Sequence, residues 1–129
     1  MKISDAPRIV LTTFDAAGAP SASHEWVVEM GNDTVGFWTP HVTPWLERLR
    51  LTDVVTLQAA SRSGRGLREE PVLEGRAVIV TDGDQLDAVR TLTRTKYGAA
   101  ATLTGLVDRA WELGGARSAE GAIVIHVVG

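Results

Sequence analysis

The chain has 129 residues, a net charge of −3 and no cysteine. That length suits one domain, 1–129, with enough buried surface for its own core, and the missing thiols exclude disulfides, thiolate catalysis and cysteine-held zinc. No basic face suggests a nucleic-acid partner, no apolar run approaches the ~20 residues of a membrane span, and no signal-peptide pattern opens the chain, so we expect a cytoplasmic protein.

The first predicted element is a β-branched strand, Arg8 to Phe14, followed by the turn-rich Asp15-Ala16-Ala17-Gly18-Ala19-Pro20. Ser21 to Glu29 reads as the return strand, Gly31-Asn32-Asp33 as a turn and Thr34 to Thr39 as a third strand. Thr43 is the expected N-cap of a helix with Pro44 in its first turn, and Val42, Trp45, Leu46 and Leu49 mark its apolar face. Val54 to Ala60 is the fourth strand, Ser61 to Gly66 an exposed loop, and Val72 to Val80 the fifth strand. Gly75 within it predicts a bulge or a close backbone approach.

Asp82-Gly83-Asp84 opens a second helix with Leu86, Val89, Leu92 and Thr93 inward and Gly98 at its C-terminal end. Leu103, Leu106, Val107, Ala110 and Trp111 predict a third helix, stopped at Gly114-Gly115, and Ala122 to Val128 a sixth, apolar strand. Short turns between antiparallel strands, with one inserted helix and a closing strand, point to a small barrel, since closure removes exposed edges.

The chemistry-bearing residues are sparse. His24, His41 and His126 have no metal-ligand spacing to one another or to a carboxylate, so no metal site is expected. His126 reads as a structural or interface residue, while His41 lies in the strand-to-helix loop. His24-Glu25-Trp26 sets two ionisable groups beside a large ring, so Glu25, His24 and His41, in that order, are the candidate proton donors. No P-loop, G-x-S-x-G or dinucleotide fingerprint is present. A strand feeding a helix at Thr43 offers free N–H groups to a phosphate, yet no Lys or Arg stands at positions 39 to 47.

In order and local pattern the chain resembles the flavin- and deazaflavin-binding split β-barrel family, which includes pyridoxamine 5′-phosphate oxidases and F420-dependent oxidoreductases. The resemblance is carried by Val10-Leu11-Thr12-Thr13-Phe14 with Gly18-Ala19-Pro20, by Glu25-Trp26, and by Trp38-Thr39 with Thr43. Arg48-Leu49-Arg50 with Asp53-Val54, Glu74-Gly75-Arg76-Ala77 and Lys96-Tyr97-Gly98 complete it. It implies a mainly β, six-stranded antiparallel split β-barrel with short flanking helices, paired as a homodimer with cofactor in the grooves between protomers.

The deazaflavin branch is the nearer one, so the implied cofactor is coenzyme F420, with FMN as the alternative. The implied reaction is hydride transfer to or from a small unsaturated or carbonyl substrate. Trp26, Trp38, Thr39, Thr43, Trp45, Arg48 and Arg50 are the positions expected to meet the cofactor. Where the family commonly carries Arg and Lys for the phosphate, this chain has Pro44 and Trp45. Arg48, Arg50, or Arg62 and Arg65 in the loop are the expected substitutes. The alternative is a non-redox member that has lost the clamp and binds another planar ligand, or works without cofactor.

Overall fold

The structure, a computed structural model, describes residues 2–98 and 120–129. A single 3-10 turn (Ile3–Asp5) leads into seven strands and two helices. In chain order these are β1 (Arg8–Phe14), β2 (Pro20–Glu25), β3 (Val28–Gly31), β4 (Thr34–Thr39), α1 (Thr43–Leu49), β5 (Val54–Ala60), β6 (Leu73–Val80), α2 (Gly83–Tyr97) and β7 (Gly121–Val127). The third helix expected around Leu103–Trp111 lies outside the described residues.

All seven strands form one antiparallel sheet in the order β2-β1-β5-β6-β7-β4-β3. β2 and β3 stand at opposite ends of that order, yet only Trp26 and Val27 separate them in the chain. The sheet must therefore curl until its two ends meet, which makes a barrel split at Trp26–Val27. This corrects the sequence expectation of one return strand from Ser21 to Glu29 and of six strands in all. The break itself is made of Trp26 and Val27, followed by Val28, all residues that favour strands, so local pattern gives no sign of it.

Turn chemistry is as expected. Asp15 Oδ1 accepts the amides of Ala17 at 2.9 Å and Ala19 at 2.8 Å, which closes the β1–β2 hairpin. Gly31, Asn32 and Asp33 all adopt positive φ in the β3–β4 turn. Gly75 is a close-approach site, because a Cβ there would lie 2.6 Å from Ile125 Cγ2.

Two apolar layers hold the fold. Ile9, Leu11, Val35, Phe37, Val55, Leu57, Ile123 and Ile125 fill the barrel, and Trp45 of α1 closes it. On the other side of β4 and β7, Leu86 and Val89 of α2 pack on Val28, Ala122 and Val124. α1 departs from its predicted stripe in two ways. Thr43 is its first residue, with Val42 in the N-cap position, and Leu46 is 52% exposed. The helix meets the barrel along the narrow seam of Val42, Trp45 and Leu49, so the wider apolar face has nothing to cover. Leu92 of α2 is likewise at the margin, 36% exposed.

Candidate functional site

Strand alternation decides which predicted site residues can act together. On β2, Ser23 and Glu25 stand opposite Leu11 and Ile9 and share their inward face, while His24 stands opposite Val10 and faces outward. His24 and Glu25 therefore cannot serve one reacting atom. The His24 ring packs beneath the 61–66 loop, where a Cβ on Gly64 would lie 2.9 Å from its Cγ. Burial pushes the Glu25 carboxyl above the usual range, opposed by the Ser23 hydroxyl, Arg48 and Arg8. A carboxyl that burial holds toward its protonated form suits the role of proton donor.

The same alternation separates Trp38 from Thr39. Trp38 faces α2 and packs against its layer, and its indole Nε1 donates to Glu120 Oε2 at 2.7 Å. Arg90 of α2 holds the same carboxylate. Thr39 faces the other way, 7% exposed, and its hydroxyl accepts from the His41 amide at 3.2 Å and donates to the His41 carbonyl at 3.1 Å. That small ring of bonds shapes the loop into α1 and leaves both imidazole nitrogens of His41 out of reach of solvent.

Trp45 belongs to the core. It is 5% exposed and meets Phe37 edge-on at 5.2 Å between ring centres, so it fills the barrel and offers no open ring face to a cofactor. Thr43 and Pro44 are exposed at the first turn of a seven-residue helix that carries no basic residue at that end. Arg48 lies one turn on, its guanidinium 5.1 Å from the Trp45 ring centre. Arg48 and Arg50 line a cleft of about 350 Å3 against Thr13, Phe14, Ala19 and Ser21, beside the β1–β2 turn. They stand at the C-terminal end of α1, where cations complement the helix dipole.

A larger cleft, about 500 Å3, opens at the other end of β1 and β2. It is lined by Asp5, Pro7, Arg8, Trp26, Arg62, Lys96 and Tyr97. Trp26 and Tyr97 stack at 4.4 Å and 10°. The Tyr97 hydroxyl accepts from the Val27 amide at 2.9 Å and donates to the Pro7 carbonyl at 2.8 Å. Lys96 Nζ donates to the carbonyls of Ser4, Ala6 and Val27 at 2.7, 2.9 and 2.7 Å. Burial pulls its ammonium below the usual lysine range and pushes the Tyr97 phenol up. Of the residues expected from sequence to meet a cofactor, Trp26 and Arg62 line this cleft. Arg8 was not among the sequence candidates, because a basic residue before a β-branched run carries no local mark of a site. Among the described residues no group of histidine and carboxylate side chains could hold a metal.

No protein-family model and no curated protein matches this sequence. Solved structures do match. HutZ, the heme storage protein of Vibrio cholerae, superposes with a TM-score of 0.67 at 14% identity, covering 97% of this chain and 84% of that one. A protein of the pyridoxinephosphate oxidase family from Clostridium acetobutylicum gives 0.57 at 13%, over 95% and 76%. The fold is the pyridoxamine 5′-phosphate oxidase-like split barrel. An F420 reductase shares this split barrel with a TM-score of 0.58 at 14% identity, over 98% of this chain and 91% of that one. The split barrel thus serves flavin-related and heme-related proteins alike, and identities this low speak for fold and not for reaction.

Proposed function

We propose that this split barrel is an F420- or FMN-dependent oxidoreductase that works as a homodimer in the cytoplasm on a small unsaturated or carbonyl substrate. The supporting observation is the likeness to an F420 reductase along nearly the whole of both chains. The cofactor supplies the hydride chemistry, and the protein binds, orients and protonates. Thr39, Thr43 and the exposed first turn of α1 would border the ring system, and Glu25, its carboxyl raised by burial, would hold the proton. The usual basic pair does not fit at the phosphate position, where Pro44 is exposed and Trp45 is sealed in the core. That departure favours a second reading, a barrel that binds a planar ligand without redox chemistry.

The dimer reading draws on the outer face of β1, β5 and β6. Val10, Thr12, Val54, Thr56 and Val78 point there, and Val78 is 59% exposed. The other four are half-buried, and Glu74 and Arg76 share the face on β6; a β-branched patch with an exposed valine suits a sheet face that meets a second copy. Titration of the purified protein with F420 and with FMN, followed by cofactor fluorescence, tests the main reading. Low-micromolar F420 binding with weaker FMN binding supports it, and no binding of either at ~100 µM transfers the assignment to the non-redox reading. Sedimentation of wild type and Val78→Arg tests the dimer, which the substitution should weaken.

A further inference from the structure

We propose that the cleft between Trp26, Tyr97, Arg8 and Arg62 is a binding site for a flat aromatic anion, a ring carrying a carboxylate or a phosphate. The inference stands whether or not the chain transfers hydride, and it concerns the end of the barrel opposite the Arg48–Arg50 cleft.

Charge is the first reason. Three cations, Arg8, Arg62 and Lys96, line the cleft against the single carboxylate of Asp5, on a chain whose net charge is −3. The Lys96 ammonium has its three N–H bonds directed at three carbonyls, so it contributes field and not a contact. Arg8 acts on the Glu25 carboxyl at a distance but forms no direct ion pair, and Arg62 makes neither an ion pair nor a side-chain hydrogen bond among the described residues. Two guanidinium groups are thereby left to meet an anion, and each can do so with paired N–H donors.

The second reason is a wall already in place. Trp26 and Tyr97 stack nearly parallel at 4.4 Å between ring centres, which holds both rings at the cleft, and the phenol is tied to the Val27 amide and the Pro7 carbonyl. Arg62 rides on a loop closed by Ser61 N–H to the Arg65 carbonyl and Gly64 N–H to the Ser61 carbonyl, both 2.9 Å, with Gly64 seated on His24. A flat ligand thus loses little to reorganisation on entry. The cleft, at about 500 Å3, lies inside the roughly 300–1,000 Å3 range of small-molecule sites. An apolar face with converging donors is the usual composition of such sites.

The test is equilibrium titration of the full chain with anthranilate, read by tryptophan emission, against the uncharged anthranilamide. Binding should be at least tenfold weaker for the amide, and Arg62→Gln and Arg8→Gln should each weaken anthranilate by about tenfold or more. Arg62 is exposed on a loop, so its substitution leaves the fold intact and keeps the test valid if Arg8→Gln unfolds. Arg76→Gln, which alters a surface pair with Asp53, should change nothing, and Trp26→Phe should remove the optical response. FMN added in competition identifies the source of the anion. Displacement makes it the phosphate of the cofactor and no displacement a separate small ligand, and in both cases this cleft is the site. Equal affinity for acid and amide, or wild-type affinity in Arg62→Gln, overturns the proposal.

Discussion

The Tyr97 hydroxyl accepts the Val27 amide at 2.9 Å across 70 residues of sequence. Val27 lies in the two-residue break between β2 and β3, where its amide has no strand partner. A side chain from the end of α2 therefore supplies the bond that a continuous sheet would have supplied.

Tyr97→Phe should leave the stacking on Trp26 in place but strip a partner from the Val27 amide and the Pro7 carbonyl. We expect a loss of about 1–3 kcal/mol, the cost of leaving such groups unpaired. Urea denaturation gives the value directly, and a change under 0.5 kcal/mol would mean that water replaces the phenol.

Gly75→Ala should be far more costly than an ordinary glycine replacement. Its methyl would stand 2.6 Å from Ile125 Cγ2, 3.1 Å from the His126 carbonyl and 3.2 Å from Leu57 Cδ1. Backbone on one side and core on the other leave little room to give, so about 1–3 kcal/mol should be lost. A thermal melt unchanged from wild type would show that β6 and β7 can part at this point.

Glu25 carries a pH signature. Its carboxyl is raised chiefly by burial, so the folded state holds this proton more tightly than the unfolded chain does. Stability should fall as pH rises from the unfolded value, about 4.3, through the raised folded one, and stay lower above it. Glu25→Gln should accordingly be the more stable protein at pH 7, with the gap closing below about pH 4. Urea midpoints of both proteins at the two pH values measure it, and a gap of equal size at both would sink the assignment to Glu25.

Restoring a phosphate clamp requires the right position. Trp45→Lys should unfold the protein, since emptying a tryptophan site in the core costs about 3–5 kcal/mol before an ammonium is buried there. Pro44 is exposed in the same turn. Pro44→Arg should tighten FMN by about tenfold, one regained charge-assisted contact. Unchanged FMN affinity in a folded Pro44→Arg would place the phosphate elsewhere.

How much was legible in the sequence depended on how far apart the interacting residues lie. Strand positions and turns came through because period-two alternation and residues such as Asp15, Gly31 and Asn32 act within a few positions of themselves. α2 and its Gly98 end, where φ is +55°, were legible for the same reason. Tertiary packing alone decided that Trp45 fills the barrel and that the return strand breaks at Trp26–Val27. It also gathered Arg8, Trp26, Arg62 and Tyr97 from four separate segments into one cleft. Local propensity and periodicity describe a residue and its near neighbours, whereas burial and charge clustering depend on which distant segments the closed sheet brings together.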